Sequence, residues 1–273
     1  MAILIITFLL TGLLSGLLAG LLGVGGGIII VPISYFVLVN NAEALGYSTD
    51  IVMHISIASS LTIILFTSIS SIRSHLKLKN IDIKVVKRWF LGIMTGSLIG
   101  SFLASKVQGE ILVLIFIILS FLISLNMFFQ KKITTIGNDI PVSFLNNFLI
   151  SGSIGFLSAL MGIGGGSFSV PTLSVFSKKI HQAIGTSAAL GFFIALPSAI
   201  SYVFLGLNIE NLPPYSLGYV NILIVALVTA TSIFSANIGA KISLKIHKKY
   251  LKKIFAIFLL LTCSSLVIEH FIF

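Results

Sequence analysis

The sequence predicts an all-α polytopic membrane protein of two inverted-topology repeats, each a broken-helix hairpin plus three spanning helices. Three observations carry that expectation. Charged residues make up 9% of the chain and hydrophobic residues 57%, with a mean hydropathy of +1.15. A soluble domain carries roughly 25% charged residues, so this chain lacks the polar surface to cover itself. Apolar runs of the ~20 residues that a spanning helix requires recur along its whole length. Finally, one glycine-rich stretch occurs twice, as Leu21-Leu-Gly-Val-Gly-Gly-Gly-Ile-Ile-Ile-Val-Pro32 and as Leu160-Met-Gly-Ile-Gly-Gly-Gly-Ser-Phe-Ser-Val-Pro171.

The first apolar run, residues 2–22, breaks at the glycines and resumes over 28–39. Four glycines in five positions cost a helix roughly 1 kcal/mol apiece against alanine, so the helix stops there. An acidic loop, 40–50, leads to a helix over about 51–72. A basic loop, 73–88, precedes helices at 89–104 and 111–129. Lys131 and Lys132 open a polar linker, giving units 1–132, 133–143 (the linker) and 144–273. The second unit repeats the order: a broken run over 144–176, then helices at 183–205, 217–240 and 254–273.

The repeat extends beyond the glycines. Gly23 and Gly162 lie 139 positions apart, as do Gly16 and Gly155; His54 to Ser60 and His181 to Ser187 match at an offset of 127. The 12-residue difference falls in the stretch 40–50, and Lys106 and Lys241 match at 135. Such self-similarity is the mark of an internal duplication. Cytoplasmic loops carry an excess of Lys and Arg, which places the loops 73–88, 131–132, 178–179 and 241–253 inside. Each broken run then enters and returns as a hairpin, and the three remaining crossings invert the second half. Both termini are expected outside. The net charge of +10 therefore serves orientation, and no nucleic acid is expected. The single Cys263 permits no intramolecular disulfide. The N-terminus lacks a basic signal region, so its apolar run reads as retained structure.

A break in a spanning helix frees backbone groups that must find partners, which restricts it to places covered by protein or facing a wet cavity. Paired breaks at matching positions of two halves point to a transporter's binding site. Gly23, Gly25, Gly26 and Gly27, with Gly162, Gly164, Gly165 and Gly166, are expected to present bare N–H groups and the N-termini of the helices that follow to an anion. Pro32 and Pro171 then fall within the first turns of those helices. The alternative is that the glycines serve close helix packing, as Gly12, Gly16 and Gly20 and Gly92, Gly96 and Gly100 are expected to do. No Lys-Ser/Thr ending follows, so this is no nucleotide loop.

Ser59, Ser60, Thr186 and Ser187 could donate hydroxyls to the same anion, or bond back to their own helices. His54 and His181 begin matching helices as a gating or proton-linked pair, or as interfacial rings satisfied locally. Arg73 could gather anions at the cytoplasmic mouth or simply anchor topology. No carboxylate lies mid-helix, where proton-driven carriers often keep one. No His or Cys spacing suits a metal, and no cofactor is expected.

On these residues the chain resembles the TauE/SafE sulfite exporter family (DUF81): Gly23-Val-Gly-Gly-Gly27 with Pro32, Gly162-Ile-Gly-Gly-Gly166 with Pro171, and His181-Gln-Ala-Ile-Gly-Thr-Ser187. One departure is Ala58-Ser59 where the second half has Gly185-Thr186. The resemblance covers essentially the whole chain. It implies a multi-pass inner-membrane permease for sulfite, an organosulfonate or a related organic acid. The expected partners are a small anionic solute and the lipid bilayer, with homo-oligomerisation left open. An anion channel on the same scaffold is the rival. An intramembrane enzyme, needing a Ser or Thr beside His54 or His181, is disfavoured because these histidines start their helices away from the glycine breaks.

Overall fold

The computed structural model describes residues 2–23, 25–129, 137, 139–243, 256–257 and 259–268. The first half comprises α1 (Ala2–Leu22), α2 (Gly27–Val39), the short α3 (Ala42–Leu45), α4 (Val52–Lys77), α5 (Ile83–Ala104) and α6 (Gly109–Phe129). The second comprises α7 (Phe144–Met161), α8 (Gly166–Val175), α9 (Ile180–Gly206), a two-residue hairpin β1 (Ser216–Leu217) and β2 (Val220–Asn221), α10 (Ile222–Ile242) and α11 (Leu259–Ile268). Among the described residues six helices are long and apolar enough to cross a membrane, namely α1, α4, α6, α7, α9 and α10. The protein is an all-α polytopic membrane protein.

Its surface reverses that of a soluble domain. Leu10, Leu14, Ile99, Phe102, Ile118, Phe121, Phe234 and Ile238 are exposed, while Ser56, Ser59, Ser60, Ser97, Ser101, Ser158, Ser187 and Ser232 are fully buried. Apolar side chains meet lipid, and small hydroxyls fill the interior because they can bond a carbonyl within reach. Ser56, for example, donates to the Val52 carbonyl at 2.8 Å.

Both glycine ladders are packing seams, as expected. Gly12, Gly16 and Gly20 of α1 press successively on Val228, Ser232 and Ala236 of α10; Gly92, Gly96 and Gly100 of α5 press on Phe148, Gly152 and Phe156 of α7. Residue numbers rise together in each pair, so the members of each pair run parallel. A β-carbon at any of these glycines would fall on a carbonyl of the neighbour, which is why the seams use glycine.

The helices α4 and α9 form the centre and cross antiparallel. His54, near the start of α4, stacks on Tyr219 just beyond the end of α9, at 5.1 Å between ring centroids. Gly185, near the start of α9, abuts the Asn80 carbonyl just beyond the end of α4.

Elements depart from the sequence expectation in four places. The helix expected over 51–72 continues to Lys77, and that over 89–104 begins at Ile83. The earlier start follows from Asp82, whose carboxylate accepts from the Lys84 and Val85 N–H groups as an N-cap. The β1–β2 hairpin occupies what was expected to open the helix at 217. As the runs 2–22 and 28–39 imply, the limbs of each broken hairpin are unequal, with 21 and 13 residues in α1 and α2 and 18 and 10 in α7 and α8. Finally, α10 matches α5 at 139 rather than the 135 of the Lys106–Lys241 alignment. Gly100 meets the Phe156 carbonyl while Gly239 meets that of Leu17, and both partners of that pair also stand 139 apart. The lysine match is one helical turn out of register. The helix expected at 254–273 is described over Leu259–Ile268; Lys131 and Lys132 lie outside the described residues.

Candidate functional site

The two glycine runs are true breaks. Gly23 ends α1 with φ +68°, and Gly26 opens α2 with φ +74°; Gly162 ends α7 with φ +69°, and Gly165 opens α8 with φ +74°. These left-handed angles strain any residue bearing a β-carbon. Gly26 rests against the Ser15 carbonyl, so the chain turns back along α1. Among the described residues the N–H groups of Gly27, Gly166 and Ser167 have no hydrogen-bond acceptor. Pro32 and Pro171 lie inside α2 and α8, the sixth residue of each. Each removes a donor to the carbonyl four residues back.

The breaks meet. A β-carbon at Gly25 would lie 2.8 Å from the Gly164 Cα, and one at Gly27 would strike the Gly162 carbonyl oxygen. Between them is a cavity of only about 10 Å³, lined by Ala19, Gly23, Gly25, Ile64, Thr67, Ser68, Ser71, Gly164, Ala188 and Gly191. That volume is about one water, so the site is closed in this conformation. The glycines therefore pack closely across the breaks, and Gly23, Gly25 and Gly164 line this small cavity.

Of the hydroxyl residues singled out from sequence, Ser60 and Ser187 reach the breaks, while Ser59 and Thr186 bond elsewhere. Ser60 of α4 donates to the Gly162 carbonyl at 2.7 Å. Ser187 of α9 donates to the Gly23 carbonyl at 3.1 Å and to Ile184 at 2.8 Å. Each long helix thus satisfies a carbonyl freed by the other half's break. Ser59 accepts from the Asn221 N–H at 2.9 Å, and Thr186 accepts from the Asp82 N–H at 2.9 Å, which fastens the starts of α10 and α5. In this conformation Ser60 and Ser187 spend their protons on glycine carbonyls, while Ser59 and Thr186 accept from backbone N–H groups. In a region without water, freed backbone groups claim the nearest partners.

Donors that sequence reasoning missed stand nearby. Ser158 and Ser169 are fully buried with no partner for their hydroxyls among the described residues. Each oxygen lies 3.6 Å from where a Gly165 β-carbon would be. Ser71, which lines the cavity, is likewise buried and unpartnered. The signal was spacing: Ser158 precedes Gly162 by four residues and Ser169 follows Gly165 by four, so both share a helix face with the break. None of the residues lining the cavity is charged. A solute held there would meet the neutral hydroxyls of Thr67, Ser68 and Ser71.

His54 Nε2 faces the carbonyls of Ala104 at 3.1 Å and Val107 at 3.0 Å. Those contacts fasten the start of α4 to the end of α5, and the Tyr219 stack holds it to the β1–β2 turn. His181 is half-buried at the start of α9.

At the other end of α4 one ion-pair cluster joins the halves. Lys178 contacts Asp82 at 2.9 Å and Asp139 at 2.8 Å. Burial alone would raise the Asp82 pKa, but the Lys178 hydrogen bond and charge and the capped N–H groups hold it below the ordinary carboxylate value. Burial likewise opposes the Lys178 charge, and the two carboxylates outweigh it and raise its pKa.

Buried hydroxyls and an apolar exterior define a membrane protein, and paired helix breaks are the arrangement expected at a transporter's binding site. Comparison with known proteins agrees. The model of the TauE/SafE sulfite exporter family matches residues 8–266, and the chain belongs to that family. A probable membrane transporter protein of Haemophilus influenzae is 32% identical over 251 residues, covering 90% of this chain and 92% of the relative. The probable membrane transporter protein YunE of Bacillus subtilis is 29% identical, covering 91% and 92%. A Methanocaldococcus jannaschii relative, probable membrane transporter protein MJ0441, is 30% identical, covering 84% and 83%. No solved structure matches the chain.

Proposed function

We propose that this protein is a secondary permease of the inner membrane that moves a small anion, such as sulfite, an organosulfonate or a related organic acid, by alternating access. Its two halves, residues 1–132 and 144–273, are read as inverted repeats with both termini outside. The antiparallel crossing of α4 and α9 and the matched Ser60–Gly162 and Ser187–Gly23 bonds support that reading. The observation that carries the proposal is the meeting of the two breaks. Where they meet, Gly23, Gly25, Gly164 and the unpartnered hydroxyl of Ser71 line a cavity of about 10 Å³, and beside it stand the unpaired N–H groups of Gly27, Gly166 and Ser167 and, next to Gly165, the unpartnered hydroxyls of Ser158 and Ser169. Buried donors without acceptors are costly, and an oxyanion would supply the acceptor. The cavity is too small for one, so loading requires the breaks to part. Parting costs the contacts that glycine permits and the two serine bonds that tie each break to the opposite half. A bound anion would offset that cost.

The direct test is Gly165→Leu. Its side chain would meet Ile194 and fill the space beside Ser158 and Ser169. Loss of uptake or efflux of sulfite into proteoliposomes, with normal insertion, is the expected result; wild-type flux would remove the site. The same vesicles separate a carrier from an anion channel, since a carrier sustains no single-channel currents in a planar bilayer. A thermal-shift screen against sulfite, sulfate, thiosulfate, taurine, sulfoacetate and lactate ranks the substrates.

A further inference from the structure

A second cavity lies away from the breaks, on another face of α4. It measures about 420 Å³ and is lined by Phe66, Ile69, Ser70, Arg73, Ser74, Lys77 and Leu78 of α4 and its end, and by Ile233, Asn237 and Lys241 of α10. Its volume is that of a ligand site. One end is apolar, with Phe66, Ile69 and Ile233. The other gathers three cations, Arg73, Lys77 and Lys241, and no carboxylate lines it. Salt bridges among the described residues involve Lys178 alone, so these three cations meet no acid. Ser74 donates to the Asn237 Oδ1 at 2.8 Å, and Ser70 to the Ile233 carbonyl at 2.8 Å. With its oxygen engaged, the Asn237 amide nitrogen is left to donate elsewhere.

The duplicated chain provides an internal control. At the offsets of 127 for α4 and α9 and 139 for α5 and α10, the twins of Arg73, Lys77, Asn237 and Lys241 are Ile200, Phe204, Leu98 and Phe102. All four are exposed apolar side chains, at 49%, 68%, 44% and 50%. The fold therefore accepts hydrocarbon at these positions, and the cations are not demanded by packing. They occur on one side of the molecule only.

We infer that this groove binds the phosphate headgroup of an anionic phospholipid, with its acyl chain against Phe66, Ile69 and Ile233. The groove has the polarity of an amphiphile: cations at one end, hydrocarbon at the other, between two helices whose outer faces meet lipid. Basic pockets of this kind between spanning helices hold anionic headgroups. A free phosphate or sulfite would use the cations but leave the apolar end unfilled. The site is separate from the proposed transport site, since Thr67, Ser68 and Ser71 line the cavity at the breaks and do not line the groove.

The test is native mass spectrometry of the whole protein from nanodiscs of equal phosphatidylglycerol and phosphatidylcholine. Wild type is expected to retain phosphatidylglycerol preferentially, and the triple variant R73Q/K77Q/K241Q to lose ~tenfold or more of that preference. Because removing three cations could disturb insertion, Asn237→Phe provides a second variant that fills the groove without changing charge; it should lose the preference too. Gly165→Leu should keep it, which separates this site from the transport site. Equal retention of both lipids by wild type, or a preference that survives in both groove variants, overturns the inference. So does stabilisation of wild type alone by inorganic phosphate or sulfite without preferential lipid retention, which would assign the groove to a free anion.

Discussion

Gly27→Ala sets a local preference against a contact between the halves, and the sign of the result decides between them. Gly27 is the first residue of α2, and its φ is not left-handed. On helix propensity alone, alanine would stabilise by up to ~1 kcal/mol. Across the interface, the new β-carbon would strike the Gly162 carbonyl oxygen and lie 2.9 Å from Ser60 Oγ and from Ile64 Cδ1. The carbonyl belongs to a turn fixed by the left-handed Gly162 and bonded to Ser60, so it has little room to yield. Overpacking of this kind costs ~1–3 kcal/mol, which exceeds the gain. The net expectation is a loss of ~1–2 kcal/mol. Gly152→Ala in α7 is the control, because its β-carbon would lie an ordinary 3.5 Å from the Gly92 carbonyl. It should be neutral or stabilising. Both are read by thermal or denaturant unfolding of the purified protein in one detergent, with sulfite flux in vesicles alongside. Gly27→Ala should also weaken closure and change the flux. If Gly27→Ala instead raises stability as much as Gly152→Ala and leaves flux unchanged, the two breaks do not touch as described.

Ser60→Ala should cost ~1 kcal/mol, within the range of interhelical hydrogen bonds in membranes. Ser187→Ala should cost less, because that hydroxyl also bonds Ile184 of its own helix; equal losses in unfolding experiments would contradict the assigned geometry. Ser158→Ala and Ser169→Ala remove buried hydroxyls that have no partner, so melting temperature should hold or rise while the flux KM increases ~fivefold or more, the loss of one hydrogen bond. A fall in stability with an unchanged KM would make them structural. Lys178→Gln should lower the melting temperature at neutral pH. With the Asp82 pKa depressed and that of Lys178 raised, the ion pair stabilises between the ordinary carboxylate and lysine values, 3.8 and 10.5. Its contribution disappears as pH falls through the lowered Asp82 value, or rises through the raised Lys178 value. A pH profile of melting temperature should lose that acid limb in Lys178→Gln, and an unchanged profile would deny the pair a role.

Much of the architecture was legible because the constraints on it are local. Apolar run length gives the helices, and glycine clusters stop them wherever they occur. An internal duplication shows as residue offsets, and the Gly12 and Gly92 ladders announce seams by spacing alone. What escaped depends on partners far away in sequence. Ser60 and Gly162 are 102 residues apart, and Ser187 and Gly23 are 164 apart. No local pattern distinguishes a hydroxyl that meets a ligand from one that meets a carbonyl of the other half. The lysine match sets α10 one turn out of register because a lysine at a helix end answers to the membrane surface, whereas Gly239 answers to α1. The start of α5 at Asp82 was readable in principle from its capping carboxylate, but the basic residues after it suggested a loop.

The most direct measurement is a crystal structure with selenite, whose anomalous scattering reports an oxyanion of sulfite's shape. The expected peak lies where the two breaks meet, within hydrogen-bond reach of the Gly166 and Ser167 N–H groups and of the Ser158 or Ser169 hydroxyl, with the cavity enlarged from its present 10 Å³. A peak found solely in the groove of Arg73, Lys77 and Lys241, with the breaks still sealed against each other, would contradict the paired breaks as the anion site.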